Sequence, residues 1–205
     1  MNEGNTLAGV DVPTVSAGFG DMMKLQIDLQ ARLNQLPVDP TDAKRMASKC
    51  IYWGHCIRAE IEELIEWPTL HASDPNWVKE MQMEAIDIVH FVFNIGIELG
   101  FDASFVVATE QAYMHLVHIV YEVPTLRAIS LMSEITIIDI VNALPWKTWK
   151  TYTTRPDMGL LAECYSDLLR AMLMLCNATG LDRQGIIDMY FAKNKVNHKR
   201  QDDGY

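Results

Sequence analysis

The sequence predicts an all-α protein, and three observations carry that prediction. Apolar residues recur at three- and four-residue steps over long stretches, the pattern of amphipathic helices. Helix punctuation separates those stretches: acidic caps such as Asp21 and Asp74, prolines at 37, 68, 124 and 145, and glycines at 100 and 180. Strand-like composition is confined to Ile135–Ile140, a β-branched run inside a longer periodic segment, and the longer pattern favours helix there as well.

The elements follow in order. Residues 1 to about 17 lack a basic stretch followed by an apolar run, so they are not a signal peptide, and they read as a loosely held leader. A first helix is predicted from Asp21, its N-cap, to Gln35, stopping before Pro37. A second runs from Thr41 to Trp67 and ends at Pro68. The third begins after Asp74-Pro75, a cap followed by proline at the first helical position, and ends at Gly100. The fourth spans Asp102 to Tyr121, before Pro124, and the fifth Thr125 to Leu144, before Pro145-Trp146. After the loop PWKTWKTYTTRP, a sixth runs from Asp157 to Thr179 with Gly180 as its C-cap, and a last one from Asp182 to His198.

Two segments of this series look alike. Each has a helix ending in a Trp-Pro or Pro-Trp pair, then a helix ending in Gly-x-Asp, at 67–102 and 145–182. Aligning the glycines sets Asp87 on Asp167 and Glu84 on Cys164; aligning the prolines sets Glu60 and Glu63 on Ile137 and Ile140. A second unit that has lost three of four acids is expected to pack on the first rather than bind metal. We therefore expect one catalytic domain over 18–205, with a motif-bearing unit at about 18–122 and a degenerate one at about 123–205.

Composition narrows the function. The formal net charge of −10 argues against a general nucleic-acid binder, which needs a basic surface. An anionic small substrate then requires a bridging cation or a local basic patch. The longest apolar runs fall short of a membrane span. Cys50, Cys56, Cys164 and Cys176 form no CxxC pair and read as reduced residues within helices. A cytoplasmic protein is expected.

The third helix carries the chemistry. Met81 to Gly100 is apolar on nearly every face, as a buried helix is, yet Glu84 and Asp87 sit in it one turn apart. Unpaired buried charges cost several kcal/mol or force protonation, and the stripe Trp77, Glu80, Glu84, Asp87, Phe91, Asn94, Glu98 offers no cation. The second helix adds Glu60 and Glu63. Taken alone, Glu60, Glu62, Glu63 and Glu66 could equally form a solvated face. A short connection makes the two helices antiparallel neighbours, so the two acid pairs face each other. Carboxylates gathered without a basic partner suit a hard cation, Mg²⁺ or Mn²⁺ rather than Zn²⁺. His90 follows Asp87 by one turn, but the second acid-x-x-His of a di-iron bundle is missing, so it reads as a packing or supporting residue.

The chain closes with KNKVNHKRQDDGY, in which Lys193, Asn194, Asn197, Arg200 and Gln201 share helical faces and suit polyphosphate oxygens. This tail resembles the KNxxNxxRQxxGY motif of the all-α dimeric dUTPases and the phage dCTP/dUTP pyrophosphatases, within the all-α NTP pyrophosphatases. Met22 to Leu33 is similar to the family's first motif, with Gln26 and Gln30 facing a base pocket. Glu60, Glu63 and Leu64 match its ExxEL element, and Glu84, Asp87, His90 and Phe91 its ExxDxxHF element.

The resemblance implies a helical bundle that cleaves a deoxynucleoside triphosphate to monophosphate and pyrophosphate. Mg²⁺ would be held by Glu60, Glu63, Glu84 and Asp87, with Glu60 or Glu63 as the base. Lys193, Arg200 and Tyr205 would bind phosphate oxygens, and Asn194 and Asn197 phosphate or sugar. The implied substrate-binding set also includes Gln26, Gln30, His90, Phe91 and Gln201. The family further implies a homodimer, in the host cytoplasm if phage-encoded. Two departures stand out. PWKTWK follows the fifth helix here rather than the ExxE helix, which leaves Lys147, Trp149 and Lys150 open between phosphate binding and packing. Gln30 stands where the dUTPase form usually has Asn or Asp. A Gln there is closer to the phage dCTP-cleaving form, which leaves the base open. dUTP is expected first and dCTP second, with a broader nucleotide pyrophosphatase as alternative and an inactive helical adaptor as the rival from outside enzymology.

Overall fold

The computed structural model describes residues 17–33, 42–113, 123–145, 147, 150 and 156–204. These form seven helices and no strand: α1 (Phe19–Arg32), α2 (Ala43–Leu70), α3 (Trp77–Leu99), α4 (Ala103–Tyr113), α5 (Val123–Ala143), α6 (Met158–Ala178) and α7 (Arg183–Asp202). The all-α class is as expected, and Ile135–Ile140 lies within α5. The expected leader falls outside the described residues up to position 16, as do the expected limits at Gln35, Thr41 and Tyr121.

Several boundaries differ from the sequence expectation, each for a local reason. α1 starts at Phe19 with Gly18 as its cap; Asp21 is not the cap but reaches back to accept the Gly18 N–H at 3.1 Å. Asp42 caps α2 by accepting from the Arg45 N–H. α2 does not stop at Pro68 but continues to Leu70. Proline forfeits only its bond to the carbonyl one turn earlier. The rest of that turn is secured by the Thr69 hydroxyl, which donates to the Ile65 carbonyl at 2.8 Å, and by the His71 N–H on Trp67. Asp74 does not cap α3 either. It accepts from the Asn76 N–H in the preceding turn, and Asn76 holds the cap position. α7 runs past the expected end at His198 to Asp202.

α3 and α6 end alike. Gly100 and Gly180 adopt φ of +82° and +91°, a left-handed conformation that costs glycine nothing. The next residue then bonds back into the helix, Phe101 to Gly96 and Leu181 to Cys176.

α3 is the centre of the packing, as its all-round apolar surface required, with α1, α2, α6 and α7 against it. It lies antiparallel to α2, since Trp53 meets Phe91 while Trp67, further along α2, meets Glu84 earlier in α3. α5 and α6 pack on each other and on α2 and α3 respectively. The α3–α6 approach depends on Gly96, whose Cα faces the Tyr165 phenol so closely that a Cβ would overlap it. All four cysteines are free. Among the described residues, no helix is long and apolar enough to cross a membrane.

Candidate active site

Trp53, Glu60 and Trp67 stand at seven-residue intervals on α2, so they form one stripe against Phe91, Asp87 and Glu84 of α3. The stripe brings three carboxylates together: ligand-capable oxygens of Glu60, Glu84 and Asp87 all lie within 4.8 Å of one another. Glu63 is not among them. It is exposed, because its position is rotated by ~60° further from the buried ridge Ile57, Ile61, Leu64 than that of Glu60. Its charge still acts on Glu60 and Glu84.

The acids resist ionisation. Burial, followed by the charges of Asp87, Glu63 and Glu84, pushes Glu60 up to about 7. Burial also raises Glu84, against the Trp67 indole N–H that donates to its Oε1 at 3.3 Å. Asp87 is raised by burial too, against the opposing pull of Lys193. The expectation that no cation attends these acids needs correction: Lys193 Nζ donates to Asp87 Oδ2 at 2.7 Å, so the lysine expected on phosphate sits on a carboxylate. The lysine comes from α7, a partner no local pattern around Asp87 could reveal. Lys193 and the more distant Arg200 set against Glu60, Glu63, Glu84 and Asp87 still leave a surplus of negative charge. Oxygen donors, close spacing and raised proton affinity together fit a divalent cation.

A pocket of about 410 Å³ opens beside the cluster, between α1, α2, α3 and α7. Glu60 and Asp87 border one part of it, and Lys193, Asn197, Arg200 and Gln201 enter from α7. Gln26, Gln30 and Asn94 contribute amides, while Trp53 and Phe91, stacked at 5.8 Å, contribute aromatic faces. Beneath it is a buried polar network. Gln26 Oε1 takes the Tyr190 hydroxyl at 2.8 Å and lies 2.7 Å from His90 Nδ1, and Gln26 Nε2 donates to Asn94 Oδ1 at 2.7 Å. His90 also stacks on Tyr190, and burial pushes its imidazole down to about 3, so it is neutral.

Of the expected residues, Gln26, Gln30, Glu60, Asp87, His90, Phe91, Lys193, Asn197, Arg200 and Gln201 border this pocket. Asn194 does not; it is buried beside the Tyr190 phenol. Neither Lys147 nor Lys150 borders it, and Trp146, Trp149 and Tyr205 lie outside the described residues. Trp53, a residue that could stack on a base but reads from sequence more readily as core, borders the pocket as well, whereas Asn94 and Tyr190 were not in the expected set. The signal for each was present as helical spacing: Trp53 seven residues before Glu60, Asn94 seven after Asp87, Tyr190 seven before Asn197.

The all-helical fold thus sets an acidic cluster beside an amide- and aromatic-lined pocket. A family model described as dUTPase matches residues 21–205. The chain belongs to the all-α dUTPase family, whose members are nucleotide pyrophosphatases. No curated protein and no solved structure matches it.

Proposed function

We propose that the protein hydrolyses a pyrimidine deoxynucleoside triphosphate, dUTP first and dCTP second, in a reaction dependent on Mg²⁺ or Mn²⁺. The observation that carries this reading is the convergence of Glu60, Glu84 and Asp87, two of which, Glu60 and Asp87, border the pocket. These three would hold the cation, which when bound offsets phosphate charge and stabilises the charge developing on the leaving group.

The protein's own residues do the rest. Water forms a bond to phosphorus, the bridging P–O bond between the α and β phosphates breaks, and its electrons leave with pyrophosphate. The water's proton passes to a carboxylate. Glu63 suits that role because it stands one turn from Glu60 on the solvent side, outside the metal-binding trio. Arg200 flanks the pocket from α7 and binds phosphate oxygens, with Asn197 and Gln201 beside it, while Lys193 holds Asp87. The nucleobase lies among Gln26, Gln30, Asn94, Trp53 and Phe91, with rings for stacking and amides for hydrogen bonding.

A homodimer is part of the proposal. Leu131, Ile135 and Ile138 form an exposed apolar stripe on α5, a face suited to a second copy. Light scattering is expected to give twice the 23.3 kDa chain mass. The activity is tested by pyrophosphate release from a panel of deoxynucleoside triphosphates with Mg²⁺. Turnover of dUTP that EDTA and Glu84→Ala both abolish is the expected result; no turnover of any triphosphate would support an inactive adaptor instead.

A further inference from the structure

Gln26 is 1% exposed, so its carboxamide is oriented by the partners it finds inside the protein. Its Oε1 lies between the Tyr190 hydroxyl, at 2.8 Å, and His90 Nδ1, at 2.7 Å. Burial holds the Tyr190 phenol well above its ordinary range, so it keeps its proton, and it keeps His90 neutral with one proton to place. An oxygen accepting from both neighbours requires that proton on Nδ1. His90 Nε2 is then a bare lone pair, and it is buried without a hydrogen-bond partner.

The remaining valences point one way. Gln26 Oε1 is saturated by two donors, and one Gln26 N–H is spent on Asn94 Oδ1. What Gln26 has left is its second N–H, and Asn94, having accepted through its oxygen, keeps its own NH₂. Both residues border the pocket, so they present it chiefly with donors.

We propose that Tyr190 and His90 are positioning residues for base choice. They lock the Gln26 and Asn94 amides with N–H groups toward the pocket, which then takes a pyrimidine carbonyl and rejects an exocyclic amine. The inference rests on the reading of this pocket as the base subsite. Uracil carries a carbonyl at the ring position where cytosine carries an amine. An amine there sets N–H against N–H and leaves buried donors unpaired, the arrangement that discriminates most strongly. Neither Tyr190 nor His90 touches the reacting phosphate.

The test compares dUTP with dCTP on the full chain, and dUMP with dCMP binding in the absence of metal. Wild type is expected to favour the uracil compound in both. Tyr190→Phe should narrow the preference by about fivefold, the worth of one buried hydrogen bond, through KM for dUTP with kcat nearly unchanged. His90→Asn, which keeps a donor near the Nδ1 position, should retain the preference, whereas His90→Leu should lose it. This pair decides the matter if Tyr190→Phe does not fold. Preference for the cytosine compound, or a preference unmoved in a folded Tyr190→Phe protein, would overturn the inference. Absent turnover combined with a Tyr190-dependent preference for dUMP would overturn the pyrophosphatase reading and support this one.

Discussion

Replacing Glu60 by glutamine should make the metal-free protein more stable, and more so as pH rises. The carboxyl of Glu60 is raised from 4.5 to about 7, by burial first and then by Asp87, Glu63 and Glu84. A group whose proton affinity is raised by folding contributes stability at low pH and loses it as pH climbs through the folded value. The shift corresponds to ~3 kcal/mol undiscounted, and partial exposure to solvent reduces it to ~1–2 kcal/mol. Buried neutral His90 works in the opposite sense, destabilising the fold as pH falls below its ordinary value of 6.5 toward about 3. The wild-type profile alone therefore mixes these two with the raised Glu84 and Asp87. The difference between Glu60→Gln and wild type isolates Glu60, because His90 is common to both. Measured in EDTA by thermal melting, that difference should grow by roughly 2–6 °C in favour of Glu60→Gln between pH 5 and pH 8. Saturating Mg²⁺ should reverse its sign, since the cation binds the carboxylate and not the amide. A variant equally destabilised at every pH would refute the reasoning, because it would mean that folding does not raise the proton affinity of Glu60.

Two further outcomes follow from the packing and the ion pair. Lys193→Met leaves the part-buried Asp87 without its partner, so it should cost about 2 kcal/mol in EDTA and less with excess Mg²⁺, as read from urea midpoints. An equal loss in both conditions would count against metal at Asp87. Gly96→Ala places a methyl on the Tyr165 phenol where α3 and α6 meet and should lower stability by about 2–3 kcal/mol. An unchanged urea midpoint would show that the helices can separate freely there.

How much of this was legible in the sequence depends on the range of the interaction concerned. The helical class and the role of α3 could be read because periodicity and capping are local, and Glu84 and Asp87 stood out against apolar neighbours. Antiparallel pairing followed from a short connection, and with it the meeting of Glu60 with the α3 acids. The ExxE spacing alone could not separate Glu60 from Glu63; that depends on where the buried ridge of α2 lies. Nor could it supply Lys193, which is 106 residues from Asp87 and reaches it only once α7 docks. Tyr190 and Asn94 were overlooked for a related reason. Each looks like an ordinary core or helix residue until α1 brings Gln26 between them. Pro68 misled because a proline in a last turn breaks one hydrogen bond rather than a helix.

The most direct measurement is Mn²⁺ binding without nucleotide, followed by electron paramagnetic resonance as free ion disappears. Saturable binding to wild type, weakened at least about tenfold in Asp87→Asn and Glu84→Gln proteins that still melt cooperatively, is the result expected of the carboxylate trio. Binding that both variants retain undiminished would place the cation elsewhere and contradict the assignment.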